Sequence, residues 1–192
     1  MTTPLYPTFQ KRISDSFDQL IKNQVTPWVF LNTGKPMRVK THDNRPISYE
    51  GVGFEGSPEQ VFWSRYIDPF MEEICICEIN DAIKMSTERN VDAKLLLPEV
   101  EGLLLSGVTR TFHEMSQIDQ RLKGKGFPEK VHAHPIENEV QIMKNFIEVR
   151  IKSELDMWQP KSKFESWYER NKFIIWAMGT IVALIGLCAR FR

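Results

Sequence analysis

The sequence lacks the short motifs by which many enzymes can be recognised. It has no GxSxG motif of a serine hydrolase, and Gln117 stands where a zinc-protease HExxH motif beginning at His113 would need its second histidine. The cysteines, Cys75, Cys77 and Cys188, are odd in number, so they form no closed disulfide framework. They indicate buried thiols in a reducing compartment, with a metal or redox pair formed by Cys75 and Cys77 as the alternative. We therefore predict no catalytic residue and no cofactor.

A surplus of charge is missing as well. The 25 basic and 25 acidic residues give a formal net charge of zero, whereas a nucleic-acid-binding protein usually carries a basic surplus. Nucleic acid is therefore not an expected partner. The N-terminal residues, MTTPLYPTFQKR, contain no apolar run of the kind that a secretory signal needs, so we expect the main domain to stay in the cytoplasm.

One long uncharged stretch is present, at residues 173–189, with the sequence FIIWAMGTIVALIGLCA. As a helix it would be about 25 Å long, which is short for a bilayer core, but Lys172 and Arg190 can reach outward to the head groups. More cations precede the stretch than follow it, which favours a cytoplasmic N-terminal side. The pattern predicts a tail-anchored protein with a lipid bilayer as partner. The anchor residues singled out are Phe173, Ile174, Ile175, Trp176, Gly179, Ala183 and Gly186.

Two features near this stretch leave alternatives open. Gly179 and Ala183 form a small-xxx-small pair that would permit a homo-oligomer through the anchor, although such pairs are also frequent by chance. Residues 160–172 form either an interfacial segment or a plain polar linker. The predicted interfacial side chains are Phe164, Trp167, Tyr168 and Lys172.

The remaining chain, residues 1–159, shows the 3–4 spacing of amphipathic helices, and we expect a mainly α, bundle-like domain. Proline and glycine punctuate residues 27–56, where short alternating runs predict a small hairpin or irregular β segment. The predicted helices span residues 8–26, 57–86 with a kink or division at Pro69, 92–122 and 135–158. The apolar stripe of the last helix comprises Ile136, Val140, Met143, Ile147, Ile151, Leu155 and Trp158.

Two patterns resemble ligand sites. Gly51-Val-Gly-Phe-Glu-Gly56 fits GxGxxG, but the run before it is polar and two glutamates stand where a pyrophosphate would lie, so we interpret it as a turn before a capped helix. His132 and His134 could share a metal, or they could lie in an exposed loop before Pro135.

A basic cluster precedes the glycine-rich turn. Lys35, Arg38, Lys40 and Arg45, with His42 among them, could meet an acidic protein partner, a phosphate ligand or the membrane surface, or they could simply be solvated.

Three functions follow as hypotheses. The first is a tail-anchored, single-pass protein whose cytoplasmic domain is a partner-binding or scaffolding module. The second is a membrane-perturbing effector that senses a signal and oligomerises through its anchor. The third is a membrane-tethered, metal-dependent hydrolase that uses the histidines.

Overall fold

Most of the described chain is helical. The computed structural model describes residues 2–31, 36–49, 63–123, 125, 136–158, 168, 171–178 and 180, of which 82% are helical. Within these residues the ordered elements include five α-helices and one two-stranded sheet. The predicted mainly α fold with a small β element is therefore confirmed, whereas the C-terminal transmembrane helix and the domain boundaries stay predictions.

Helix α1 spans Tyr6–Leu20, and its buried side chains, Phe9, Ile13, Phe17 and Leu20, keep the 3–4 spacing. The chain then continues as a π-helical turn over Ile21–Val25 and a 3-10 helix over Thr26–Phe30. Val25, in the π-helical turn, and Trp28, in the 3-10 helix, are both buried in the core. The predicted helix over residues 8–26 is thus helical throughout, but its last turn is not an α-helix.

Strands β1, Met37–Lys40, and β2, Pro46–Tyr49, form an antiparallel hairpin in which Arg38 pairs with Ser48. The turn between them is closed by the Thr41 amide, which donates to the Arg45 carbonyl, and Asn44 adopts a left-handed conformation that asparagine tolerates. Pro46 stands at the first position of its strand, where a missing amide is tolerated. The predicted hairpin is confirmed.

Helix α2 is a short element, Ser64–Tyr66, and helix α3 spans Asp68–Arg89. Pro69 lies in the first turn of α3, where its missing amide has no helical partner to lose. The predicted division of the helix at Pro69 is therefore confirmed, while its predicted start at residues 57–59 lies outside the described residues. At the other end, Asn90 closes α3 in a left-handed conformation and donates its amide to the Ser86 carbonyl.

Helix α4 spans Ala93–Lys123, and helix α5 spans Ile136–Met157. The Asp92 carboxylate caps α4 by accepting from the Lys94 amide at 2.9 Å. The helix passes through Pro98 without ending, although that proline removes one helical hydrogen bond. Both predicted helices, at residues 92–122 and 135–158, are confirmed.

The helices pack as a bundle around α4, which contacts α1, α3 and α5. Helix α1 runs parallel to α4, because Thr3 hydrogen-bonds Glu99 near one end and Asp18 pairs with Arg110 further along. Helices α3 and α5 run in the opposite direction. The bundle therefore has a tail end, where α3 and α5 end and α4 begins, and a hairpin end, where α3 begins and α4 ends.

Buried aromatic side chains attach the β-hairpin to the hairpin end. The ring of Trp28 lies 5.7 Å from Tyr49, 6.0 Å from Trp63 and 6.0 Å from Tyr66, and all four side chains are buried. The contacts of Trp28 with Tyr49 and Trp63 are edge-to-face, and such contacts stabilise the fold beyond the burial of the rings. Burial also raises the pKa of Tyr66 to about 12, so its hydroxyl stays protonated and donates to Gln24.

Gly107 sets the closest approach of α1 to α4. A methyl group at this buried position would overlap the ring of Phe17, well inside van der Waals contact. Gly102, five residues earlier on the same helix, is exposed and has open space around it. The two glycines therefore form a matched pair, in which only one is needed for packing.

We expect Gly107→Ala to lower the free energy of unfolding by roughly 1–3 kcal/mol, because the added methyl group overpacks the contact with Phe17. Gly102→Ala should instead raise it by about 0.5–1 kcal/mol, because alanine favours the helix and meets nothing. Urea denaturation of the full chain in mild detergent checks both. Equal effects of the two substitutions would contradict the close approach.

Candidate functional site

The predicted cations of the hairpin share one exposed face. Arg38 and Lys40 alternate with the inward-facing Met37 and Val39, so both basic side chains point away from the bundle. Arg45, in the turn, is also exposed and pairs with Asp43 at 2.8 Å. Lys35 lies outside the described residues. The structure therefore brings Arg38 and Lys40 together as a small basic surface, which we call the hairpin face.

The hairpin end also carries a partly buried carboxyl group, that of Asp68. Asp68 begins α3, where the helix dipole would usually stabilise a carboxylate. Here burial, followed by the negative charges of Glu139 on α5 and Glu72 on α3, raises the pKa of Asp68 to about 7. Its buried Oδ1 atom has no hydrogen-bond partner among the described residues. Sequence reasoning missed this group, because Glu139 reaches it from another helix.

A second buried carboxyl group is neutralised by an ion pair. Arg12 on α1 contacts Glu78 at 3.0 Å and Asp81 at 2.5 Å on α3, and the Glu78 side chain is only 7% exposed. Burial raises the pKa of Glu78, while Arg12 opposes that rise. The three side chains tie α1 to α3, which is a structural role rather than a site for chemistry.

At the tail end, a cavity of about 390 Å³ opens between the end of α3, the start of α4 and the end of α5. Its lining is mixed, with Asn90, Asp92 and Lys94 on one side and Leu155 and Trp158 on the other. Asp92 is already engaged as the cap of α4. The cavity is therefore an open depression of mixed polarity beside the end of α5.

The outer face of α5 is apolar and uncovered. Ile142, Val149 and Met157 are 61%, 70% and 66% exposed, and Phe146 lies beside them. An open cavity of about 420 Å³ is lined by Asn145, Phe146, Val149, Arg150 and Ser153. We call this surface the outer stripe. Sequence reasoning missed it, although the spacing of Ile142, Phe146 and Val149 is a signal of a second apolar face.

The described part of the C-terminal segment is helical over residues 171–178. Phe173, Ile174, Trp176 and Met178 are more than half exposed, and Tyr168 and Lys172 are exposed as well, while Ile175 is half-buried. No helix within the described residues is both long and apolar enough to cross a membrane. Residues 179 and 181–192, which include Ala183 and Gly186, lie outside that part, as do Phe164 and Trp167.

The remaining sequence patterns meet different outcomes. The glycine-rich turn, His132 and His134 lie outside the described residues. Across the part of the chain that is described, no group of three or more histidine, cysteine or acidic side chains is placed to hold a metal ion.

The prediction that both Cys75 and Cys77 are buried is wrong for Cys77, which is exposed because the two side chains diverge around α3. Burial raises the pKa of the Cys75 thiol to about 12, so it is not an activated nucleophile.

Comparison with known proteins gives no family assignment. No protein-family model, curated protein or solved structure matches the chain. Function is therefore argued from the surfaces described above.

The raised pKa of Asp68 predicts that stability falls as pH rises from about 4 to about 7, because over this range the unfolded carboxyl group loses its proton while the folded one keeps it. Asp68→Asn removes this loss. We expect the variant to match the wild type at pH 4 and to exceed it at pH 8 by up to about 4 kcal/mol in the free energy of unfolding, since each pKa unit corresponds to about 1.4 kcal/mol. Denaturant titrations across this pH range measure the difference.

The control is Glu88→Gln, which removes an exposed carboxyl group from the same helix. A pH profile for Asp68→Asn that parallels the wild type would show that Asp68 ionises normally in the folded protein.

Proposed function

We propose that the chain is a single-pass membrane protein, held by residues 173–189, whose helical bundle binds an acidic protein partner through the hairpin face. The anchor rests on sequence, since the stretch carries seventeen uncharged residues between Lys172 and Arg190. The exposure of Phe173, Trp176 and their neighbours supports it, because a contiguous exposed apolar surface marks a contact with a membrane or another protein surface.

The proposal of a protein partner rests on the position of the hairpin face, which lies at the end of the bundle away from the linker. Helix α5 ends at the tail end and leads into the linker, whereas the hairpin packs against the start of α3 and the end of α4. The ring of His42, in the hairpin turn, lies 6.1 Å from the ring of Phe70 in α3. Burial, together with the nearby charge of Asp119 near the end of α4, raises the pKa of Tyr49 in the hairpin. The 19 residues from Phe70 to Arg89 alone separate the two ends by about 28 Å.

That separation supports one of the alternatives for the basic cluster. Charges more than about 8–10 Å apart are largely screened at physiological ionic strength. In an upright bundle, Arg38 and Lys40 are therefore too far from the bilayer to be held by its surface charge. They face the cytoplasm, where an acidic protein surface complements them.

We expect Arg38→Glu with Lys40→Glu to abolish partner binding, because the hairpin face would then repel an acidic surface. The measurement is chemical crosslinking of the full chain in intact membranes, followed by identification of the crosslinked proteins. Crosslinking by the wild type should also fall as salt is raised. The matched control is Lys84→Glu with Arg89→Glu, which reverses two exposed cations on α3.

An unchanged set of crosslinked proteins after reversal of the hairpin charges would refute the hairpin face as the binding surface.

The anchor is tested separately by Ala183→Arg, since a charge at the centre of the stretch opposes insertion by about 2.5–3.5 kcal/mol. Gln117→Arg adds the same charge to an exposed position of α4. Alkaline extraction should release only the Ala183 variant, and equal retention of both would refute the anchor.

A further inference from the structure

Two apolar surfaces of the same chain are uncovered. One is the outer stripe on α5, where Val149 is 70% exposed, and the other is the C-terminal segment, where Trp176 is also 70% exposed. A bilayer would cover the segment but not the stripe. Before insertion, both surfaces would face water unless they cover one another.

The two surfaces match in length. On α5 the acidic residues Glu139 and Asp156 lie near the two ends of the stripe, and they are 17 residues or about 25 Å apart. Lys172 and Arg190 are 18 residues apart in sequence, which would be about 27 Å if the whole segment were an α-helix. A helical segment that turns back along α5 would therefore fill the stripe from end to end.

Their end charges are complementary. The stripe has an acid at each end, and the segment has a cation at each end. In an antiparallel arrangement, Lys172 comes next to Asp156 and Arg190 comes next to Glu139. The basic and acidic ends are thus paired while the apolar faces are in contact.

The side chains along this register are also complementary in size. Trp176 falls opposite Ser153, and Thr180 falls opposite Val149. Ala183 falls opposite Phe146, so that a small residue meets each ring. Close packing of this kind, large against small, is what a helix pair requires.

We propose that, away from a bilayer, residues 173–189 dock antiparallel along the outer stripe of α5. A linker of some fifteen residues gives the segment an effective concentration in the millimolar range, so a modest contact area is enough. A second copy would lack this advantage, because a stripe one helix wide and about 25 Å long is small for a stable dimer. Docking concerns the chain without lipid, so it does not depend on the proposed anchor.

A disulfide test uses Cys188, the natural cysteine of the segment. The register places Cys188 beside Ile142, which is 61% exposed and can be replaced without disturbing the core. The full chain carrying Ile142→Cys, with Cys77→Ser to remove the exposed thiol, is made in a lipid-free cell-free system and oxidised mildly. We expect an intramolecular disulfide between positions 142 and 188, identified by peptide mass spectrometry.

The control is Glu148→Cys, which places the new thiol at an exposed position of α5 away from the stripe. Its disulfide should form about tenfold more slowly. A second pair, Val149→Cys with Thr180→Cys in a Cys188→Ser background, tests the same register. Circular dichroism establishes that each variant is folded.

Equal rates in the control, an absence of disulfide in both pairs, or disulfides between two chains would overturn the proposal. Vesicles of phosphatidylcholine and phosphatidylserine, added before oxidation, distinguish it from the proposed anchor. Loss of the disulfide on vesicles supports both. A disulfide that forms equally with and without vesicles supports docking and counts against the anchor. Insertion into vesicles, with no disulfide in the lipid-free protein, supports the anchor and counts against docking.

Discussion

The close packing of α1 against α4 at Gly107 is the contact on which the bundle depends. Helix α4 is the longest described helix and the one that α1, α3 and α5 all contact. Because the Phe17 ring lies directly on the backbone of Gly107, α1 approaches α4 more closely than a side chain there would allow. On another side of α1, Arg12 pairs with Glu78 and Asp81 and so ties the same helix to α3.

The direction of the helices then separates two ends with different chemistry. The hairpin end contains buried aromatic rings, the Asp68 carboxyl group with its raised pKa, and the exposed cations Arg38 and Lys40. The tail end contains an open cavity and leads into the linker. A bundle of this length can hold a binding surface away from a membrane while its other end stays close to the bilayer, which is the physical basis of the proposed function.

Local structure could be predicted from the sequence where the pattern is local. The 3–4 spacing of Phe9, Ile13 and Phe17 predicts α1, and alternation at Met37–Lys40 predicts a strand whose cations share a face. Contacts between distant parts of the chain could not be predicted in this way. Gly107 is indistinguishable from Gly102 until Phe17 is placed against it. The pKa of Asp68 depends first on its burial in the fold and then on Glu139 of another helix.

The candidate surfaces divide in the same way. The sequence predicts the hairpin cations as a cluster, but their distance from the tail end of the bundle depends on the direction of the helices. The outer stripe was missed because the inner stripe of α5, which includes Met143 and Ile147, already accounts for an amphipathic helix. Ile142 and Val149 form a second apolar face, and only the packing of α5 shows that no described element covers it.

The separation of the two ends can be measured directly by electron–electron double resonance between spin labels at Lys40→Cys and Lys94→Cys, with Cys77→Ser and Cys188→Ser. Both labelled positions are exposed, one on the hairpin face and one at the start of α4. We expect a distance distribution centred at roughly 30–40 Å, which is about the length of α4 from Lys94 to the turns near Asp119. A distribution centred below roughly 20 Å would place the hairpin beside the tail end and contradict the separation on which the proposed function rests.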